Sequence, residues 1–213
     1  HKNDVHKSPF FLLNKGPTIA AGCIFVGLID LSLISLLPVL ASRVPIAFPP
    51  LTYLLPVAGG VGTVVMQFPL ALLSERLGNR SSAYIVAIFG VLLCSLIPFF
   101  LNFVILALIL TFIGCGLVYF MYTLSLALLS ERFKGSSLIS ANASFIVLFE
   151  LSSLIGPVVA GLFLDRSLNY GLSIFLIVIG IMYISLVKIR DFQKKRTNIK
   201  TLGINEQITS KIG

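Results

Sequence analysis

Long apolar runs separated by short polar turns dominate the chain. Six of these runs reach the length of about 20 residues that a helix needs to cross a bilayer. Their apolar residues are continuous and do not alternate, which favours helices over the strands of a β-barrel. The pattern predicts an all-α polytopic membrane protein, one bundle of six transmembrane helices at about residues 17–40, 51–73, 82–101, 103–129, 138–164 and 170–187.

The composition supports this class. Hydrophobic residues make up 57% of the chain and charged residues 11%, with a mean hydropathy of +1.02. A soluble domain would need more charge to cover its surface. Cys23, Cys94 and Cys115 all fall inside apolar runs, without a CxxC pair or a Cys/His cluster. They are interpreted as small buried side chains, so we expect no disulfide, no metal and no cofactor.

The basic residues predict the orientation. The net charge of +8 could suggest nucleic acid, but the positive residues lie in loops and tails, as membrane insertion requires. Of the 16 Lys and Arg residues, 14 lie at the two ends or in the turns after the second and fourth spans; the others are Arg43 and Arg166. By the positive-inside rule, both termini and those two turns are cytoplasmic.

The two ends of the chain are predicted to be polar cytoplasmic segments. Residues 1–16 form a basic entry segment, and residues 190–213 form a basic tail that is mobile at its end. The chain begins with His1 rather than Met, and no signal peptide is visible. We therefore expect the chain to be a fragment, or to lie downstream of a removed segment.

A charged turn connects the second and third spans. Arg76 suits the negative pole at the end of one helix, Gly78 can adopt the left-handed conformation that closes it, and Glu75 can meet the positive start of the next. The turn could therefore lock the two helices together as a cytoplasmic gate. Alternatively, it is a solvated turn that only satisfies the positive-inside bias. The hexapeptide Ala-Leu-Leu-Ser-Glu-Arg at 71–76 recurs at 127–132.

Residues 71–80 resemble the signature loop of the major facilitator superfamily, roughly Gly-x-Leu-x-Asp-Arg-x-Gly-Arg-Arg. Its acidic, arginine, glycine and final arginine positions fall on Glu75, Arg76, Gly78 and Arg80, while Ala71 and Asn79 depart from it. The fifth span is similar to the Gly-Pro segment of the family's penultimate helix. The residues that carry this second similarity, expected to pack helices together, are Gly156, Pro157 and Gly161.

The order of these motifs implies a place within the family's fold. The resemblance covers about residues 10–190 and implies spans seven to twelve, the C-terminal six-helix half of a twelve-helix transporter. It also implies that residues 1–16 are the remnant of the central cytoplasmic loop. An N-terminal half, or a second copy of the chain, is then the expected partner. Ala71 and Asn79 weaken the match to the loop, and a stronger gate is expected in the other half.

Two acidic residues lie within the apolar runs. Asp30 is mid-span in the first, Glu150 is mid-span in the fifth, and no span contains Lys, Arg or His. A carboxylate at membrane depth costs roughly 2.5–3.5 kcal/mol, so each is expected to face a cavity or a partner. Protonation and deprotonation there would allow proton-coupled transport. The alternative is a neutral acid hydrogen-bonded to a neighbouring helix.

Four further polar residues could contact a solute or simply tie helices together: Gln67, Asn142, Tyr119 and Tyr122. The favoured function is secondary active transport of a small solute by alternating access. The alternative is a non-transporting membrane protein or an inactive remnant of a split gene. An intramembrane enzyme is disfavoured because both His residues lie in the entry segment and no HExxH or GxSxG occurs. The expected location is a bacterial inner membrane.

Overall fold

The computed structural model describes residues 10–43, 48–168 and 170–212, and within these ranges the chain is helical without strands. A short 3-10 turn, Ile97–Phe100, extends α5. The helices are α1 (Phe11–Lys15), α2 (Pro17–Arg43), α3 (Leu51–Val65), α4 (Gln67–Leu77), α5 (Asn79–Leu96), α6 (Val104–Arg132), α7 (Ser136–Arg166) and α8 (Gly171–Ile212).

Five helical segments are long and apolar enough to cross a membrane: α2, α5 with its 3-10 turn, α6, α7 and the first part of α8, Gly171–Arg190. The pair α3 and α4 passes the same test together, bent by 45°. The described residues therefore contain five spans, or six if the bent pair counts as one. This confirms the prediction of an all-α polytopic membrane protein.

The bend between α3 and α4 has a local cause. α3 ends at Val65 and α4 begins at Gln67, with Met66 between them. A continuous helix would need the backbone nitrogen of Pro69 to donate to the Val65 carbonyl oxygen, and proline has no N–H. The structure places the bend one turn before Pro69.

The helices pack as two interlocked triplets. The first triplet is α2, α3/α4 and α5, and the second is α6, α7 and α8. The first helix of each triplet packs along the second helix of the other, so α2 lies against α7 and α6 lies against α3. This exchange is the pattern expected of an inverted repeat. The largest core side chains come from four helices: Phe25, Phe120, Phe145 and Phe175.

Glycines allow the helices at these two interfaces to pack closely. A Cβ atom on Gly156 would overlap the carbonyl oxygen of Leu28 in α2, and one on Gly27 would lie 2.7 Å from the carbonyl oxygen of Phe149 in α7. At the other interface, a Cβ on Gly62 would overlap the carbonyl group of Phe112. Since helices in a membrane associate through close packing and not through water exclusion, such small residues determine how tightly the backbones approach.

Both ends of the chain are helical where the structure describes them. Within the entry segment, Phe11–Lys15 form α1, and Leu12 is fully buried because its neighbours are also apolar and pack on the bundle. Residues 1–9 lie outside the described residues. The basic tail continues α8 as helix to Ile212. Lys, Arg, Gln and Glu are good helix formers, and no proline interrupts this segment.

An ion pair closes the loop end of the α2–α7 interface. The Arg43 guanidinium donates to the Asp165 carboxylate at 2.7 Å, and both side chains are about half exposed or more. Exposed pairs contribute roughly 0.2–1 kcal/mol. We expect Arg43→Ala to lower the melting temperature of the purified protein by only a few degrees, with a difference that shrinks at high salt. A large, salt-independent loss would show that the pair is instead essential to the interface.

Candidate functional site

The charged turn after α4 is built around Gly78. The backbone N–H of Gly78 donates to the carbonyl oxygen of Ser74 at 2.8 Å and so ends α4, and α5 begins at the next residue. Gly78 has φ +81° and ψ 144°, a positive φ that L side chains rarely adopt. Its ψ is extended, so the residue reverses the chain without the left-handed helical cap that the sequence suggested.

The side-chain contact at this turn comes from a residue that departs from the family pattern. Asn79 donates through Nδ2 to Oε1 of Glu131 at 2.6 Å. Glu131 belongs to the second Ser-Glu-Arg copy, at the end of α6, so the two repeated turns are joined directly. In the part of the chain that the structure describes, Glu75 and Arg76 are exposed and make no hydrogen bond or ion pair. Arg80 is also exposed and has an interaction of its own.

Replacing Asn79 tests this link between the turns. We expect Asn79→Arg to replace the neutral amide donor with a charged one, which forms an ion pair with Glu131, and to raise the melting temperature slightly, because a charged donor strengthens the bond. Asn79→Ala should lower it slightly. Combining either change with Glu131→Ala should remove the difference between Arg and Ala at position 79. If that difference persists without Glu131, Asn79 acts on another group.

The two membrane acids occupy different environments. Asp30 on α2 is half-buried and lies within Coulomb range of the Tyr119 phenol on α6. Glu150 on α7 is exposed, and its carboxylate is close enough to interact electrostatically with the Tyr122 hydroxyl on α6. Among the described side chains, neither carboxylate forms an ion pair.

An aromatic cluster lies between the two acids. The rings of Tyr119 and Tyr122 stack with centroids 5.8 Å apart and an angle of 12°. Tyr122 also meets Phe145 and Phe149 of α7 edge-on, at 5.1 and 5.0 Å. Since Phe149 immediately precedes Glu150, the tyrosine pair connects α6 to the turn of α7 that carries this acid.

The remaining polar candidates are Gln67 and Asn142. Gln67 accepts a hydrogen bond from Thr123 of α6 at 2.9 Å and donates to the carbonyl oxygen of Thr63, so it fastens the bent helix on both sides of its break. Asn142 is exposed on α7, two turns before Glu150 on the same face. Sequence reasoning did not identify Thr123, although it is a polar residue at helical spacing from Tyr119.

Close packing explains Gly156 but not Gly161, which was expected to pack helices together. Gly156 lies at the contact with α2, and Pro157 is half-buried inside α7, whereas a Cβ on Gly161 would meet no atom within 4 Å. Cys23, Cys94 and Cys115 are buried, and Cys23 donates to the carbonyl oxygen of Phe145. No group of three or more potential metal ligands occurs within the described ranges.

Together these features define a polytopic helical membrane protein with an inverted packing pattern, acidic residues at membrane depth and joined charged turns. The chain belongs to the Major Facilitator Superfamily, whose sequence model matches residues 19–210. It is 25% identical over 144 residues to the "Uncharacterized MFS-type transporter YfkF" of Bacillus subtilis (strain 168), which covers 65% of this chain and 35% of that protein. The chain thus spans about a third of that relative. No solved structure matched. Both matches associate the chain with membrane transport.

Proposed function

We propose that this chain is the C-terminal six-helix half of a secondary active transporter, which moves a small solute by alternating access in a bacterial inner membrane. Its two charged turns and both termini face the cytoplasm in this proposal, as the distribution of basic residues supports. Its partner is an N-terminal six-helix half or a second copy of the chain. The unpaired carboxylates favour protons as the coupling ion.

The environment of Glu150 is the observation that carries the proposal. It lies near the middle of α7, on an exposed face that is mostly apolar and also carries Asn142. A carboxylate facing lipid at that depth costs roughly 2.5–3.5 kcal/mol, so another protein surface or a water-filled cavity must cover it. The exposed apolar residues that share this face are Ile139, Ile146, Leu154, Val158 and Leu162.

A second exposed apolar face lies on the bent pair α3 and α4. This pair is the second member of its triplet, as α7 is of the other. Its residues follow helical spacing across the break: Tyr53, Val57, Val61, Val64 and Phe68. Because α3/α4 and α7 occupy equivalent places in the two triplets, one partner bundle can cover both faces in the same way. This symmetry supports a second six-helix bundle as the cover.

The bent shape of α3 and α4 is consistent with movement between two such bundles. Discontinuous helices are tolerated in membranes where they line a cavity, and transporters place them beside the solute. The 45° bend lies directly beside the Gln67–Thr123 bond, which ties the break to α6. We propose that the polar residues near it, with the tyrosine pair and both acids, form this half of the solute site.

Proton flux in vesicles tests the function. Vesicles containing this chain with an N-terminal six-helix half receive an imposed pH gradient and a panel of small solutes, and the internal pH is followed by a fluorescent dye. We expect at least one solute class to accelerate the collapse of the gradient, and the chain alone to give only background. If solutes are taken up but none of them accelerates the collapse of the pH gradient, the proton-coupling hypothesis is wrong. If uptake is also absent across the panel, the non-transporting alternative is favoured.

A further inference from the structure

An apolar crevice runs between α2 and α8. Its volume is about 190 Å³. Each wall is a stripe of residues at helical spacing, so the crevice follows the two membrane-spanning helices lengthwise. The wall residues are Ala21, Ile24 and Leu28 on α2 and Ile179, Met182 and Leu186 on α8.

The crevice has a rigid floor. Phe25 and Tyr183, both buried, lie at the bottom with ring centroids 4.7 Å apart and a tilt of 33° between the rings. The Tyr183 hydroxyl points away toward the Met121 sulfur, 4.0 Å away, so it presents its ring to the crevice. The floor therefore offers carbon surface, and an apolar chain is the ligand that fits it.

α1 closes one end of the crevice. Leu13 contributes to its lining, and Leu12 is anchored because its backbone N–H donates to Oγ of Ser144 on α7 at 3.0 Å. A ring contact between Phe11 and Phe133 holds the same short helix. α1 is therefore fixed to the bundle and bridges α7 to the mouth of the crevice.

The charges at that mouth are positive. Lys15 ends α1 two residues before Pro17, which also lines the crevice. Arg190 lies one turn beyond Leu186 on the same face of α8 and is exposed, as is Lys188. Within one turn of Leu13 and Leu186, the charged side chains that the structure describes are all basic. An apolar slot at membrane depth beneath a basic mouth matches a lipid acyl chain beneath a phosphate.

We propose that the α2–α8 crevice is a binding site for an anionic phospholipid, with an acyl chain between the helices and the headgroup phosphate at Lys15 and Arg190. Basic residues close to a membrane surface attract anionic headgroups, and clefts between transmembrane helices hold such lipids. The crevice follows two spans that lie in the bilayer, so a lipid is already the neighbouring molecule. This site requires neither solute transport nor a partner bundle.

Photocrosslinking tests the site. The complete chain is reconstituted in phosphatidylcholine vesicles with a trace of phosphatidylglycerol that carries a photoactivatable group on its acyl chain, and labelled peptides are mapped by mass spectrometry. We expect labels to concentrate on residues 17–28 and 179–186. Unlabelled phosphatidylglycerol should compete, and added phosphatidylcholine should not. Labelling spread around the bundle, absent from the crevice, or competed equally by both lipids would overturn the proposal.

Two variants separate the headgroup contact from the acyl contact. Lys15→Gln with Arg190→Gln should weaken competition by phosphatidylglycerol roughly tenfold, because each basic residue near the surface attracts the anionic headgroup. Ala21→Phe should fill the slot and remove crevice labelling. The matched controls are Lys134→Gln with Arg166→Gln, and Ala143→Phe on the exposed face of α7; neither should change labelling. If the controls act as the test variants do, or if the test variants have no effect, the site is wrong.

Discussion

Gly156→Val should destabilise the bundle more than any other single change considered for this chain. The Cβ would overlap the backbone carbonyl of Leu28 and lie 2.8 Å from Oγ of Ser32, so α2 and α7 must move apart along their whole contact. Overpacking of this kind costs about 1–3 kcal/mol, and here the obstacle is backbone and cannot rotate away. For a chain of this size, we expect the melting temperature to fall by roughly 5–10 °C.

The protein's own cysteines can report this change in melting temperature. Its three cysteines are buried, so a fluorogenic thiol reagent reacts as the bundle unfolds on heating. Gly161→Val is the matched control, since it lies on the same helix, five residues away, in open space. Valine there replaces glycine with a slightly better helix former and should leave the transition unchanged or raise it slightly. Equal losses at both positions would mean that close packing at Gly156 does not determine the interface.

Asp30→Asn combined with Glu150→Gln should abolish solute accumulation driven by a pH gradient. Both changes keep the shape of the side chain and remove the proton that it can carry. Because no basic residue within the described spans pairs with either acid, no remaining group can take over the charge. Equilibration of the solute down its own gradient should continue, since the polar cluster around Tyr119 and Tyr122 is left in place.

The control for this experiment is Asp165→Asn. It removes a carboxylate from the same helix as Glu150, but at its exposed end beside Arg43. Accumulation should remain close to that of the unmodified protein. The proton-coupling hypothesis is contradicted if the double variant still accumulates solute when the pH gradient is the only driving force. Testing Asp30→Asn and Glu150→Gln separately then identifies which acid carries the coupling.

The fold could be predicted from sequence because the membrane imposes it. A run of about 20 apolar residues has to become a helix, since every backbone group must be satisfied within the segment. The start of α2 at Pro17 and the two long helices α6 and α7 follow from this constraint. The place of the bend was less visible. Pro56 and Pro69 both lie in the same span, and the chain breaks only before Pro69.

The candidate site was harder to predict. Contacts between helices depend on which neighbour each residue faces, and the spacing of residues along the sequence does not give this. The turn at 72–80 was selected for Glu75 and Arg76, yet the bond to the second turn is made by Asn79, a departure from the motif. Gly156 and Gly161 are equivalent in the sequence pattern, but only Gly156 faces another backbone. Asp30 and Glu150 also look alike in sequence, and one is half-buried while the other is exposed.

The most direct measurement is the accessibility of position 150 from each side of the membrane. Glu150→Cys is introduced into the transporter that contains this chain, and a membrane-impermeant thiol reagent is applied from one side at a time, with the unmodified protein as background. We predict reaction from both sides, with a ratio that shifts when a transported solute or a pH gradient is added. Reaction only with a lipid-soluble reagent, or from one side at a constant rate, would contradict alternating access at this face.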